Sequence, residues 1–160
     1  MSQFLFYLPL PPFLAQWFIA RHGGETPVRL VRESLEFRRL RCLIDRAPLD
    51  YVPTPPPESQ VPVCIPSFTA KDPRMFNYVP PKGVVAMVET IRDLFDIELH
   101  DYFVKTYSRR TRLDLLIEAW MAQKGIEYSD TNFNSVKKRL DRIRNAIRNC
   151  EYRRRKKFKK

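Results

Sequence analysis

Lys137, Lys138, Arg142, Arg144, Asn145 and Arg148 lie close together in the chain, with Asn149 directly after them. If this stretch is a helix with Phe133, Val136, Leu140, Ile143 and Ile147 turned inward, Lys138, Arg142, Asn145 and Asn149 form one outward row. Lys137, Arg144 and Arg148 flank it. Ammonium and guanidinium groups attract phosphate, and Arg and Asn can also form bidentate hydrogen bonds to the edges of guanine and adenine. The major groove of duplex DNA admits a helix of this kind. Further on, Arg153, Arg154, Arg155, Lys156 and Lys157 add charge that would seek phosphate. The bland alternative is a solvated helix face followed by a solubilising tail.

The charge of the whole chain favours the first reading. Residues 109–160 hold 17 Lys/Arg against 6 Asp/Glu, a net +11, while residues 1–108 hold 12 of each and are neutral. The formal charge of the protein is thus confined to its last third. A neutral body with a basic end is an electrostatic map of where a polyanion docks.

Other chemical candidates are weaker. Asp93, Asp96, Glu98 and Asp101 form an acidic cluster that could hold a divalent ion in a nuclease. Their spacings of two and three prevent all four from pointing one way on a regular helix. A wet surface, or a balance for nearby cations, is the simpler reading. His22 and His100 are the only imidazoles. No phosphate-binding glycine loop, dinucleotide fingerprint, nucleophile elbow or zinc-protease motif is present. No catalytic residue, metal ligand or cofactor is therefore assigned. Cys42, Cys64 and Cys150 are widely separated and odd in number, which suits buried reduced thiols and a cytoplasmic setting. Aromatic side chains could stack on single-stranded bases, but most fall at core-like spacing in the neutral part.

The elements that position the basic row are legible. Leu113, Leu116, Ile117, Trp120 and Met121 mark a strongly amphipathic helix, and Gly125 suits its end. Asp130 or Thr131 can cap the next helix, whose stripe runs from Phe133 through Ile147 to Cys150. Helix 113–123, a turn containing Gly125 and helix 131–149 together resemble the last two helices of a helix-turn-helix DNA-binding domain. The resemblance covers about a quarter of the chain and rests on pattern. It implies that residues 131–149 act as the recognition helix. The connection Gly125-Ile-Glu-Tyr-Ser-Asp is longer than the usual turn, and a plain helical hairpin is the alternative.

Upstream, residues 4–20 are mostly apolar but are broken by Pro9, Pro11 and Pro12, and no basic residue precedes them. They read as a strand, a turn and a short helix rather than a membrane span or signal. Residues 27–31 suggest a brief extended segment. Ser34 is a candidate N-cap for a helix striped by Phe37, Leu40, Leu43 and Ile44. Residues 48–62 are too rich in proline for a helix and read as a stiff polyproline strap. Residues 61–68 suggest an edge strand, because Pro62 and Pro66 cannot donate to a ladder. Phe76 and Tyr78 should pin the loop that follows. Pro81 opens a third helix through Val84, Val88, Ile91 and Phe95, with Asp96 to Tyr107 as its continuation or a separate helix.

The expected fold is mainly α: a compact helical domain with at most a few short N-terminal strands, a Pro-rich strap and a C-terminal helical basic module. Its parts are 1–47, 48–80, 81–150 with the helix pair at 113–149, and a basic tail at 151–160. The expected function is non-enzymatic binding of nucleic acid, with duplex DNA first, as in a small regulator or an accessory factor of a mobile element or phage. The second reading is a protein–protein adaptor or structural subunit that uses the N-terminus or the strap. The third is a metal-dependent nuclease. No membrane is expected as a partner, and the oligomeric state is not specified.

Overall fold

The computed structural model describes residues 4–52, 59–108 and 111–157, with the side chains of 151 and 153–157 outside that description. Its fold is mainly α with one two-stranded antiparallel sheet. The elements are β1 (Leu5–Leu8), α1 (Pro12–Arg21), α2 (Leu35–Leu43), β2 (Val61–Cys64), α3 (Pro81–Thr106), α4 (Leu113–Gln123) and α5 (Asp130–Lys157). They group into two compact units, Met1–Asp93 and Leu94–Lys160, with the division falling inside α3. No helix among the described residues is long and apolar enough to cross a membrane.

In the first unit, Pro12 opens α1 at a position where a missing N–H costs nothing. Leu14, Trp17 and Phe18 bury one face of that helix. Gly23 and Gly24 end it with φ of 105° and 79°, a region that side chains avoid. Ser34 caps α2, its Oγ accepting from the Phe37 amide at 3.1 Å. At the other end of α2, Lys71 Nζ donates to the carbonyls of Arg41 and Ile44, at 3.0 and 2.8 Å. A lysine there satisfies carbonyls the helix leaves open and complements its dipole.

β2 is an edge strand of the two-stranded sheet, as its prolines suggest, and a single isolated bridge meets its outer side. Val63 pairs with Phe6 of β1 on one side and bridges in parallel to Val28 on the other. Pro62 is tolerated between them because its carbonyl accepts from the Val28 amide at 2.8 Å. Its missing N–H lies on that same side, just before the short bridge needs a donor. Cys64 supplies that donor, to the Val28 carbonyl at 2.9 Å. Residues 53–58 of the polyproline strap lie outside the described residues. Within the strap, Tyr51 stacks edge-on against Tyr78, and Tyr78 exchanges backbone hydrogen bonds with Asp45. Phe76 lies under the cations of Arg46 and Lys71.

In the second unit, α3 continues to Thr106 without a break. Phe95, Leu99 and Phe103 from α3 are buried, as are Ile117, Trp120 and Met121 from α4 and Val136 and Leu140 from α5. Phe95 and Trp120 meet edge to face, with ring centroids 5.1 Å apart. Gly125 takes φ of 71° and ends α4. Ser129, rather than Asp130 or Thr131, caps α5: its Oγ accepts from the Asn132 amide at 3.1 Å. The Asn132 side chain is buried and donates from Nδ2 to the Glu127 carbonyl at 2.9 Å, which fixes the chain as it enters the helix.

Candidate nucleic-acid interface

α5 is 28 residues long, or about 42 Å at 1.5 Å per residue. Among the described residues, the ones it buries lie in its first half. Val136 and Leu140 are fully buried and Ile143 is half-buried, but Ile147 is 38% exposed and Cys150 is exposed. The stripe expected to face inward along its whole length therefore runs out of partners after Ile143. Helical periodicity sets which residues share a face, but it does not say how far a neighbouring element extends.

The basic residues of α5 whose side chains are described divide into two groups, and Arg139, which the sequence alone does not single out, joins the first. Lys137, Arg139 and Arg144 are half-buried and engaged within the second unit. Lys137 Nζ donates to Asp114 Oδ1 at 2.9 Å and sits over the Phe133 ring. Arg139 Nε donates to Asp96 Oδ1 at 2.6 Å, and the Arg144 guanidinium lies 5.5 Å from the centre of the Tyr107 ring. By contrast, Lys138, Arg142, Asn145, Arg148 and Asn149 are all exposed. No ion pair to Lys138, Arg142 or Arg148 is formed among the described residues. From Lys138 to Asn149 the outward row covers about 16 Å of helix. Asp141, exposed on its flank, partly offsets its charge. The side chains of Arg153, Arg154, Arg155, Lys156 and Lys157 lie outside the described residues, although the helical backbone of α5 reaches Lys157.

Six residues, 124–129, separate α4 from α5. No family model, curated protein or solved structure matches this chain.

Three members of the acidic cluster form separate ion pairs, while Asp93 is exposed. Besides Asp96 with Arg139, Glu98 Oε2 accepts from Lys124 Nζ at 2.8 Å and Asp101 Oδ2 from Lys105 Nζ at 2.6 Å. Among the described residues, no group of three or more His, Cys, Asp or Glu side chains is placed to hold a metal ion. The three cysteines are in no disulfide among the described residues, and they are not buried as expected: Cys42 and Cys150 are exposed and Cys64 is half-buried. Cys42 sits two residues from buried Leu40, on the other side of α2. Cys150 lies beyond the covered part of α5.

Sequence reasoning missed one buried polar cluster, in the first unit. Glu36 is fully buried. Its Oε1 accepts from Arg21 Nε at 2.8 Å, and His22 Nε2 stands 3.5 Å from the same oxygen. His22 Nδ1 accepts from the Val31 amide at 3.2 Å, so the neutral imidazole carries its proton on Nε2, toward Glu36. Burial pushes the Glu36 carboxyl up. The His22 imidazole, its own backbone amide and the Arg21 guanidinium outweigh that and hold it down at about 2. One signal was available: Glu36 precedes Leu40 by four residues and so shares its inward face.

Proposed function

We propose that this protein binds nucleic acid without catalysis, with duplex DNA as its target, and that the exposed row of α5 is the binding face. The observation that carries the reading is the division among the cations of α5. Those nearest the core are spent on internal partners, while Lys138, Arg142 and Arg148 point to solvent in line with Asn145 and Asn149. Cations of the first kind hold a fold together, and those of the second are available to phosphate and base edges. The helix-turn-helix resemblance of α4 and α5 agrees with this role for α5. A reducing, cytoplasmic setting suits three cysteines that form no disulfide among the described residues.

A gel-shift titration with duplex DNA, single-stranded DNA and RNA of matched length tests the reading. The duplex should shift at the lowest protein concentration. Tighter binding to RNA or single strands would move the target to that polymer. No shift with any of the three at low salt would contradict nucleic-acid binding and favour the adaptor reading.

A further inference from the structure

The first unit contains a cleft of about 810 Å³ to which nothing above assigns a role. That size falls within the range of pockets that hold small organic ligands. Leu30 and Ile65, each 7% exposed, contribute apolar surface to its lining. Arg29 and Arg74 also line it, and both side chains are exposed with no ion pair among the described residues. Both are carried on backbone held by hydrogen bonds. Arg29 follows Val28, which is tied to Pro62 and Cys64 of β2. Arg74 lies in a turn whose Asp72 carbonyl accepts from the amides of Met75 and Phe76. Asp72 is a carboxylate in the same lining, and its Oδ1 already accepts from the Arg74 amide at 2.9 Å. Two guanidiniums against one engaged carboxylate leave the cleft with an excess of positive charge beside an apolar surface.

We propose that this cleft binds a small organic carboxylate with an apolar chain, its carboxylate held by Arg29 and Arg74 and its chain lying on Leu30 and Ile65. A guanidinium is suited to this task because its planar fork matches a carboxylate. An inorganic anion makes no use of the apolar surface, and a neutral alcohol makes none of the arginines. The site involves the first unit alone and does not depend on nucleic-acid binding.

Cys64 lines the cleft and reports its occupancy. In the Cys42→Ser/Cys150→Ser variant it is the sole thiol, and its alkylation by iodoacetamide can be followed by mass spectrometry. Millimolar decanoate should slow that alkylation roughly threefold or more, as mass action requires when the ligand exceeds its dissociation constant. Decanol and inorganic phosphate at the same concentration should leave the rate unchanged. Adding Arg29→Gln and Arg74→Gln should abolish the protection with the melting temperature preserved. If the double change lowers the melting temperature, each single change should still weaken protection. Failure of decanoate to protect, equal protection by decanol, or protection that survives loss of both arginines would overturn the proposal.

Discussion

Glu36 holds its carboxylate fully buried against Arg21 and His22, with a pKa of about 2 instead of 4.5. A folded-state pKa below the unfolded one stabilises the protein above pH 4.5, and that stability is lost as pH falls toward 2. The gap corresponds to about 3 kcal/mol at neutral pH. Glu36→Gln should therefore be less stable at pH 7, and it should lose less additional stability than the parent between pH 5 and pH 3. Denaturant midpoints across that range check this, and parallel curves for the two proteins would contradict it. On α5 the two groups of cations should behave differently. Arg142→Ala should reduce discrimination between duplex sites by roughly 1–3 kcal/mol if the guanidinium reads a base edge. Lys137 is bound to Asp114, so Lys137→Ala should mainly affect stability, by no more than about 1 kcal/mol for a half-exposed pair. Competition binding against scrambled duplexes separates the two. Equal loss of discrimination in both variants would show that the division among these cations does not matter for recognition. The sequence placed Lys137, Lys138 and Arg142 on or beside one face but could not rank them. Their ranking depends on Asp114, more than twenty residues upstream, and a long-range ion pair has no local signature.

Trp120 is fully buried among the apolar residues of the second unit, and its ring meets Phe95. Trp120→Ala should cost about 3–5 kcal/mol, a large share of the 5–15 kcal/mol available to a domain. Thermal melting checks this, and a parental melting temperature would remove α4 from the core. The cap of α5 gives a smaller effect. Ser129→Ala should cost about 1 kcal/mol by leaving the Asn132 amide without its acceptor. The helices were legible because their apolar residues recur every three or four positions and their ends carry Pro12, Ser34 and Gly125. The cap of α5 was misplaced by one or two residues because Ser129, Asp130 and Thr131 are all competent acceptors. Side-chain chemistry alone does not choose among them. Two features were not legible for a different reason. The bridge on the outer side of β2 depends on Val28, and the loss of cover beyond Ile143 depends on where the other elements stop. Both are tertiary facts.

At the scale of the molecule, the confinement of the net charge to residues 109–160 was plain in the sequence, and the exposed row of α5 lies within that stretch. Charge distributed in this way identifies the kind of partner, a polyanion. Removing residues 151–160 deletes seven Lys/Arg and one Glu, a net loss of six positive charges. Affinity for every duplex should fall together, because bonds to phosphate carry no sequence information. The most direct test is the salt dependence of duplex binding, measured by fluorescence anisotropy for the parent and for the Lys138→Ala/Arg142→Ala/Arg148→Ala variant. If these three cations neutralise phosphates, the slope of log K against log salt should become shallower by roughly 0.9 for each phosphate no longer neutralised. Binding at low salt should weaken while the melting temperature stays that of the parent. An unchanged slope and affinity in a folded triple variant would contradict the claim that α5 is the nucleic-acid face.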